Sequence, residues 1–457
     1  YTSGKDILNI MKENRAQFAT RLGVIATTVG SAVGLGNIWR FPYETGVHGG
    51  GAFLLIYVGF IFIIGVPVIC AEFIMGRSTR SNIFGAFRAL HGRPQWAWIG
   101  YMGILASILI LSFYSVVAGW TVEYFVQSVT GTLASLDAGS RHEAFDMFCT
   151  GWKPVMWTLV FLAVNAVILL RGVKGGIERV SNVLMPVLFV ILIIFCINSL
   201  LMPGASEGLA FLFRPDFSKV DSGVLLGALG QAFFSLSLGL GTMLTYASYF
   251  SDRTPLVKSA VVTSALDTCV AVLAGVIIFP AVFTFGAEPS AGPKLVFEIL
   301  PDIFHRLPWG ALWSSLFFFL LFLASLTSTI SMSEIGIAFF CEQFGLTRKK
   351  ATLLNCLIAM VLGTLCALSF GPLRDMTVFG LTVFDLFDYV SSNILLPLGG
   401  MMISIFVGWF VDRGILRTQL RGTGSIKEWI LRVIVFCLRY VAPAGIALVF
   451  LSGLGVI

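Results

Sequence analysis

The chain has 457 residues, of which 57% are hydrophobic and only 12% charged, with a net charge of +6 and a mean hydropathy of +0.91. A soluble domain carries about 25% charged residues, so a soluble protein is excluded and a polytopic membrane protein remains. The 8 cysteines form no CxxC pair and most fall inside apolar runs (Cys70, Cys196, Cys269, Cys356, Cys366), which gives no disulfide framework and suggests neither a zinc site nor a redox motif.

The opening residues are polar and lead into no cleavable signal peptide. The first span is therefore expected to serve as the insertion signal. Runs near 20 apolar residues read as spanning helices. About eleven occur on that rule, at 17–44, 51–77, 97–129, 154–171, 178–202, 221–250, 257–285, 310–343, 351–369, 378–411 and 429–452. Several exceed the length a bilayer needs, which predicts tilts or breaks. Basic residues collect in alternate connections: Lys5, Lys12, Arg15 and Arg21; Arg77, Arg80, Arg88 and Arg93; Arg171, Lys174 and Arg179; Arg253 and Lys258; Arg348, Lys349 and Lys350; and Arg413, Arg417, Arg421 and Lys427. Such loops stay in the cytoplasm, so the N-terminus is expected inside and, with an odd span count, the C-terminus outside. The opposite connections are mixed or acidic. Those at 203–220 and 286–309 carry Pro and apolar residues and read as structured caps. Gly176 and Pro186 bracket the start of the fifth span; a Pro kink is the commoner reading there and local unwinding the alternative.

Two spans are interrupted near their centres. The first reads "GSAVGLGNIWRFPY" from Gly30, and the sixth reads "GQAFFSLSLGLGTMLTYASY" from Gly230. Irregular backbone at membrane depth is tolerated only where it is buried in protein or lines a cavity. An unwound turn offers N–H groups to an anion and C=O groups to a small hard cation. A single glycine cluster more often marks close helix packing. Two clusters with polar side chains, in corresponding halves, point to a transport site.

With "AVGLGNIWRFPY", "GGGAF", "FFSLSLGLG" followed by "YASY", and "LASLTSTISM" in order, the chain resembles the neurotransmitter:sodium symporter family, and within it the bacterial amino-acid carriers. The resemblance covers nearly the whole chain. It implies an all-α membrane protein of about eleven helices, built as a five-plus-five inverted repeat with discontinuous first and sixth helices. The implied division is a cytoplasmic tail at 1–16, a first five-helix repeat at 17–203, an extracellular connection at 204–220, a second repeat at 221–411, and a cytoplasmic loop plus eleventh helix at 412–457. The implied location is a bacterial inner membrane, and no nucleic-acid partner is expected.

The resemblance also implies ligands. One sodium ion would meet Ala32, Asn37, Ser235 and Asp267. A second would meet the carbonyls of Gly30, Val33 and Ala324 and the hydroxyls of Thr327 and Ser328. The substrate carboxylate would meet the Leu35 and Gly36 amides, the Tyr114 hydroxyl and the first sodium. The implied substrate pocket comprises Ala32, Leu35, Gly36, Ile110, Tyr114, Phe234, Ser235, Ser237, Leu240, Ser328 and Met332. None of these is charged, so a neutral and mostly apolar amino acid fits best. Each residue alone would pass as ordinary packing. Thr327 and Ser328 taken singly would be read as hydroxyls bonded back to their own helix.

Two departures sharpen the expectation. Asp267 lies in the apolar run "TSALDTCVAVLAG", where the family usually has Asn. Intramembrane carboxylates are functional by default, and this one would supply the negative charge that chloride supplies in animal members. Transport without chloride is expected. Gly34 stands where the monoamine branch has Asp, which leaves room for the carboxylate of an amino acid.

By resemblance, Arg40 and Asp388 form an outer ion-pair gate with Gln231 nearby, under which Tyr114 and Phe234 make an aromatic lid. On the inside Arg15 would pair with Glu342, braced by Tyr249; Glu342 and Phe18 depart from the Asp and Trp common there. Glu72, in "VICAEFIMG", reads as a brace for the unwound sixth span. An intramembrane enzyme is the rival class, but there is no HExxH pair and "GLGN" lacks a third glycine. A non-transporting amino-acid sensor on the same scaffold is the other rival.

Overall fold

The computed structural model of the chain describes residues 16–91, 94–133, 135, 138–286, 296–297, 300–421 and 427–456. Hydrocarbon offers no water to a bare peptide group, so a spanning chain must close its hydrogen bonds within helices or a closed barrel. This chain takes the helical solution. Among the described residues the sole β pairing is a bridge between Val378 and Leu381 in a loop.

Nine continuous helices among the described residues are long and apolar enough to cross a membrane: Gly51–Thr79, Ala97–Val129, Lys153–Leu170, Val173–Leu200, Leu256–Phe285, Gly310–Phe344, Arg348–Leu368, Val383–Phe410 and Glu428–Gly453. Two further passes are broken. The first span consists of Arg21–Ala32 and Gly36–Val47, bent by 55° at the break. The sixth consists of Ser222–Ser235 and Thr242–Ala247, separated by an irregular stretch. Nine unbroken and two broken passes make eleven spans.

Glycine decides where the broken sixth span meets its neighbours. A Cβ on Gly76 of the second span would lie 2.0 Å from the Leu244 carbonyl oxygen. Gly239 has a φ of 84°, and a Cβ there would lie 2.4 Å from the Gly400 nitrogen of the tenth span. Both contacts are possible only without a side chain.

The connections at 203–220 and 286–309 contain short helices at Ala205–Phe213 and Leu300–His305. The start of the fifth span is not unwound. Gly172 turns the chain with a φ of 84°, a wide π-helical turn follows at Val173–Glu178, and the helix continues through Pro186 to Leu200. The extra residue in the turn absorbs what the glycines would otherwise release as a break. Exposed apolar side chains such as Val190, Ile193 and Ile197 on the fifth span face outward, as a lipid-facing surface requires.

Candidate functional site

The first span stops where Val33 turns extended (φ −68°, ψ 119°). Its freed amides are caught at once. The Gly34 amide donates to the Asn37 side-chain oxygen at 2.9 Å, and the Leu35 amide donates to the Tyr114 hydroxyl at 2.9 Å. A freed carbonyl is caught as well: Val33 accepts from the Ser328 hydroxyl at 3.0 Å. The Gly36 carbonyl, already bonded to the Phe41 amide, accepts in addition from the Gln231 side chain at 3.3 Å. In the sixth span the helix ends at Ser235, and Ser237, Gly239 and Gly241 all take positive φ (51°, 84° and 86°). Ser237 is a non-glycine residue held in that region, a strain of about 1–3 kcal/mol that packing must hold in place.

The two breaks face one cavity. Ala32, Gly34, Gly36 and Asn37 line it from the first span, and Phe234, Ser235, Ser237 and Leu240 from the sixth. Ile110, Phe113 and Tyr114 close it from the third span, Ser328 and Met332 from the eighth, and Leu396 from the tenth. The residues expected from the sequence thus converge there, apart from Leu35, whose amide is already held by Tyr114. Phe113 and Leu396 were not anticipated, because an apolar residue one position from Tyr114 or deep in the tenth span gives no signal above packing. Gly34 is tightly enclosed: a Cβ there would lie 2.7 Å from the Ser328 hydroxyl oxygen and 2.9 Å from that of Tyr114.

Asp267 sits fully buried on the seventh span beside this cavity. Its Oδ1 accepts from the Asn37 amide at 2.7 Å and its Oδ2 from the Ser235 hydroxyl at 2.8 Å. Asn37 also donates to the Ser235 hydroxyl and to the Asp267 carbonyl, both at 3.1 Å. The Tyr57 hydroxyl donates to Ser235 at 3.3 Å, a contact from the second span that the sequence did not suggest. Every bonding partner of this carboxylate is neutral. A buried charge without a counter-charge costs several kcal/mol, so this carboxyl is neutralised either by a proton or by a cation.

A second oxygen cluster lies where the first and eighth spans meet. Ser328 and Val33 are directly bonded, Thr327 is bonded to the Ala324 carbonyl at 3.0 Å, and Gly30 faces Thr327 closely enough that a Cβ would lie 3.3 Å from the Thr327 Cβ. The five residues named for a second cation therefore lie close together, four of their oxygens hydrogen-bonded in two pairs. Among the described residues no group of three His, Cys, Asp or Glu side chains forms a metal cluster. The first cluster offers carboxylate, amide, hydroxyl and carbonyl oxygens and the second offers carbonyl and hydroxyl oxygens, a hard-ion set in each case.

The gates differ in part from the expectation. Arg40 and Asp388 do not form an ion pair within 4.0 Å. Arg40 instead approaches Glu44 one turn along its own helix at 3.4 Å, and its guanidinium lies 4.3 Å from the centre of the Phe234 ring. Asp388 accepts from Ser392 at 2.7 Å. An i,i+4 partner and an aromatic face are the nearer attractions for the cation. On the inner side Arg15 lies outside the described residues. Glu342 accepts from the Asn82 amide at 2.9 Å and the Asn82 side chain at 2.8 Å. Tyr249 donates to Glu334 at 2.7 Å. Arg348 meets Glu334 with two bonds, at 2.8 and 2.7 Å. The sequence reading missed Glu334, and it took Arg348 for a loop charge.

Glu72 is fully buried and accepts from the Gly239 amide at 2.9 Å and the Leu244 amide at 3.1 Å. It ties the irregular stretch of the sixth span to the half-helix that follows. A second unforeseen carboxylate, Glu178, accepts from the Ala19 and Thr20 amides and the Thr20 hydroxyl at 2.9–3.1 Å, capping the start of the first span. Gly23 makes room for it, since a Cβ there would lie 2.0 Å from the carboxylate.

The match to the Sodium:neurotransmitter symporter family model runs over residues 15–151 and 145–456. The chain belongs to this family. Among its relatives, the uncharacterized sodium-dependent transporter YhdH of Bacillus subtilis is 38% identical, over 98% of this chain and 99% of its own. An uncharacterized sodium-dependent transporter of Haemophilus influenzae is 37% identical, over 97% and 99%. The crystal structure of MhsT in complex with L-phenylalanine superposes with a TM-score of 0.88 at 45% identity, covering 96% of this chain and 100% of that one. This symporter-family chain is therefore a multi-pass membrane transporter of the bacterial branch and not an enzyme.

Proposed function

We propose that the protein carries a neutral, hydrophobic or aromatic amino acid into the cell by sodium-driven symport, with two sodium ions and without chloride. The observation that carries this reading is the convergence of two broken spans on one cavity beside a buried carboxylate whose bonding partners are all neutral. The substrate carboxylate is received by the Leu35 and Gly36 amides and the Tyr114 hydroxyl, with Tyr114 giving up its bond from the Leu35 amide as the substrate enters. Asn37, Ser235, Asp267 and the Ala32 carbonyl hold the first sodium. Gly30, Val33, Ala324, Thr327 and Ser328 hold the second. Asp267 supplies the fixed negative charge, so no chloride is required.

The side-chain pocket is formed by Ile110, Phe113, Phe234, Leu240, Met332 and Leu396, with only Ser237 polar. That composition favours an apolar side chain, and Met332 adapts to several shapes. The solved relative MhsT holds L-phenylalanine, which agrees with this choice. Residues 17–203 and 221–411 act as the two inverted halves. The N-terminus lies in the cytoplasm of a bacterial inner membrane, the orientation that keeps the basic connections inside.

A competition screen with the twenty amino acids, run with sodium and with potassium in its place, tests the assignment. Displacement by aliphatic and aromatic amino acids in sodium alone is expected. Displacement by amines lacking a carboxylate, or equal binding in potassium, would overturn it.

A further inference from the structure

The Arg413–Arg421 helix lies between the tenth and eleventh spans, at the end of the molecule that carries the basic connections. Arg77, almost fully buried, fixes its position. It donates to the Gln419 side chain at 2.6 Å and to the carbonyls of Gln419 and Thr254. Leu416 and Leu420 turn inward, while Arg413, Arg417 and Arg421 remain exposed on turns one apart. Between this helix and the eleventh span runs a groove. Its far wall is one face of Glu428–Gly453, repeating every three or four residues: Glu428, Leu431, Arg432, Val435, Phe436, Arg439 and Tyr440.

The groove changes character along its length. Its mouth presents Arg413, Arg417 and Arg432, with Arg421 adjacent. One carboxylate, Glu428, answers them, and it is shared by Arg417 at 3.0 Å and Arg421. Among the described residues Arg413 and Arg432 have no carboxylate within ion-pairing distance. Further in, Phe436 and Tyr440 are 57% and 51% exposed, on a span whose surroundings are hydrocarbon. Arg439 lies about 16 Å along the helix from Glu428, and helical side chains lean back toward the N-terminus, here toward the mouth. Its Nε donates to the Gly408 carbonyl at 2.6 Å and its guanidinium lies 5.0 Å from the Trp409 ring. Its two terminal nitrogens have no hydrogen-bond partner among the described residues. They form a fork suited to a phosphate.

We propose that this groove binds one anionic glycerophospholipid, with its phosphate between Arg413, Arg432 and Arg439 and an acyl chain along Val435, Phe436 and Tyr440. Charge complementarity selects an anion, and the apolar continuation selects one that carries a hydrocarbon tail. Basic pockets between spans at the membrane boundary suit such headgroups. A soluble polyanion would leave the apolar half bare. The bound lipid would tie the tenth span to the peripheral eleventh through groups that do not touch the cavity.

The test uses the full purified chain in nanodiscs of phosphatidylcholine alone or in an equal mixture with phosphatidylglycerol, read by native mass spectrometry of the released protein. Retention of phosphatidylglycerol in preference to phosphatidylcholine is expected. The R413Q/R432Q variant, which leaves the structural Arg439 in place, should lose that preference by roughly ten- to a hundredfold, while sodium-dependent amino-acid binding is unchanged. E428Q, which removes the competing carboxylate, should increase retention and guards against a variant that merely misfolds. Unchanged retention in R413Q/R432Q would overturn the proposal. So would equal displacement by inorganic phosphate, which would mean a site for a free anion, or a groove found covered by a second copy of the chain.

Discussion

The Asp267 carboxylate is held by two neutral side chains, Asn37 and Ser235, and faced by no basic side chain among its partners. In the proposed role, sodium supplies the balancing charge. Asp267→Asn keeps the shape and removes the charge, so it should weaken sodium binding at least about tenfold; sodium titration of labelled amino-acid binding measures this. Uptake by the unaltered protein should be equal in chloride and gluconate buffers, and a steep chloride dependence would remove Asp267 from its assigned role. Gly34 gives a second test at this scale. With 2.7 Å available to the Ser328 hydroxyl, Gly34→Ala must displace Tyr114 or Ser328. Amino-acid affinity should fall by about tenfold or more while the protein still folds. Single residues were legible in the sequence when their chemistry was out of place. Asp267 and Glu72 stood out as acids in apolar runs, and Gly34 and Asn37 as breakers of one. Glu334 stood in the same kind of run and went unread, because its partner Arg348 begins the next span and resembled an ordinary cytoplasmic charge.

The broken spans work as elements because fixed groups hold their open ends. Glu72 satisfies one amide inside the sixth-span gap and one in the half-helix beyond it. Glu72→Gln would turn an amide donor toward one of these N–H groups, and hydrogen bonds to a charged acceptor are worth about 1.5–3 kcal/mol each. Loss of transport together with a lower thermal midpoint is expected; transport at the original rate would contradict the bracing role. The ninth span is tied to the eighth by the bidentate Arg348–Glu334 pair. Arg348→Ala leaves a fully buried carboxylate without its cation and should cost about 3–5 kcal/mol. Replacing both partners by Met should recover most of that loss, as thermal melts in detergent would record. The breaks themselves were legible, because clustered glycine and polar residues at mid-bilayer depth are tolerated only where backbone lines a cavity or packs closely against protein. The form of the fifth span was not. Gly175 and Gly176 permit either an unwound turn or a wide helical one, and the choice rests on packing that the sequence does not display.

For the whole molecule, moving one positive charge across 100 mV is worth about 2.3 kcal/mol, so the two sodium ions proposed would supply about 4.6, or roughly three decades of accumulation. Coupling demands that sodium and amino acid each raise the other's affinity by the same factor. The eleven-span architecture was legible from apolar run lengths and from the order of the motifs. The state of the gates was not, because Arg40 has several partners within reach: Glu44 and the Phe234 ring hold it here, and Asp388 stands apart. The most direct test of the account is uptake of labelled L-phenylalanine or L-leucine into proteoliposomes under an inward sodium gradient with the interior negative. Accumulation above the external concentration, abolished when a sodium ionophore collapses the gradient, is the predicted result. Sodium-dependent binding to the same protein with no accumulation would contradict the account and leave a sensor on a transporter scaffold.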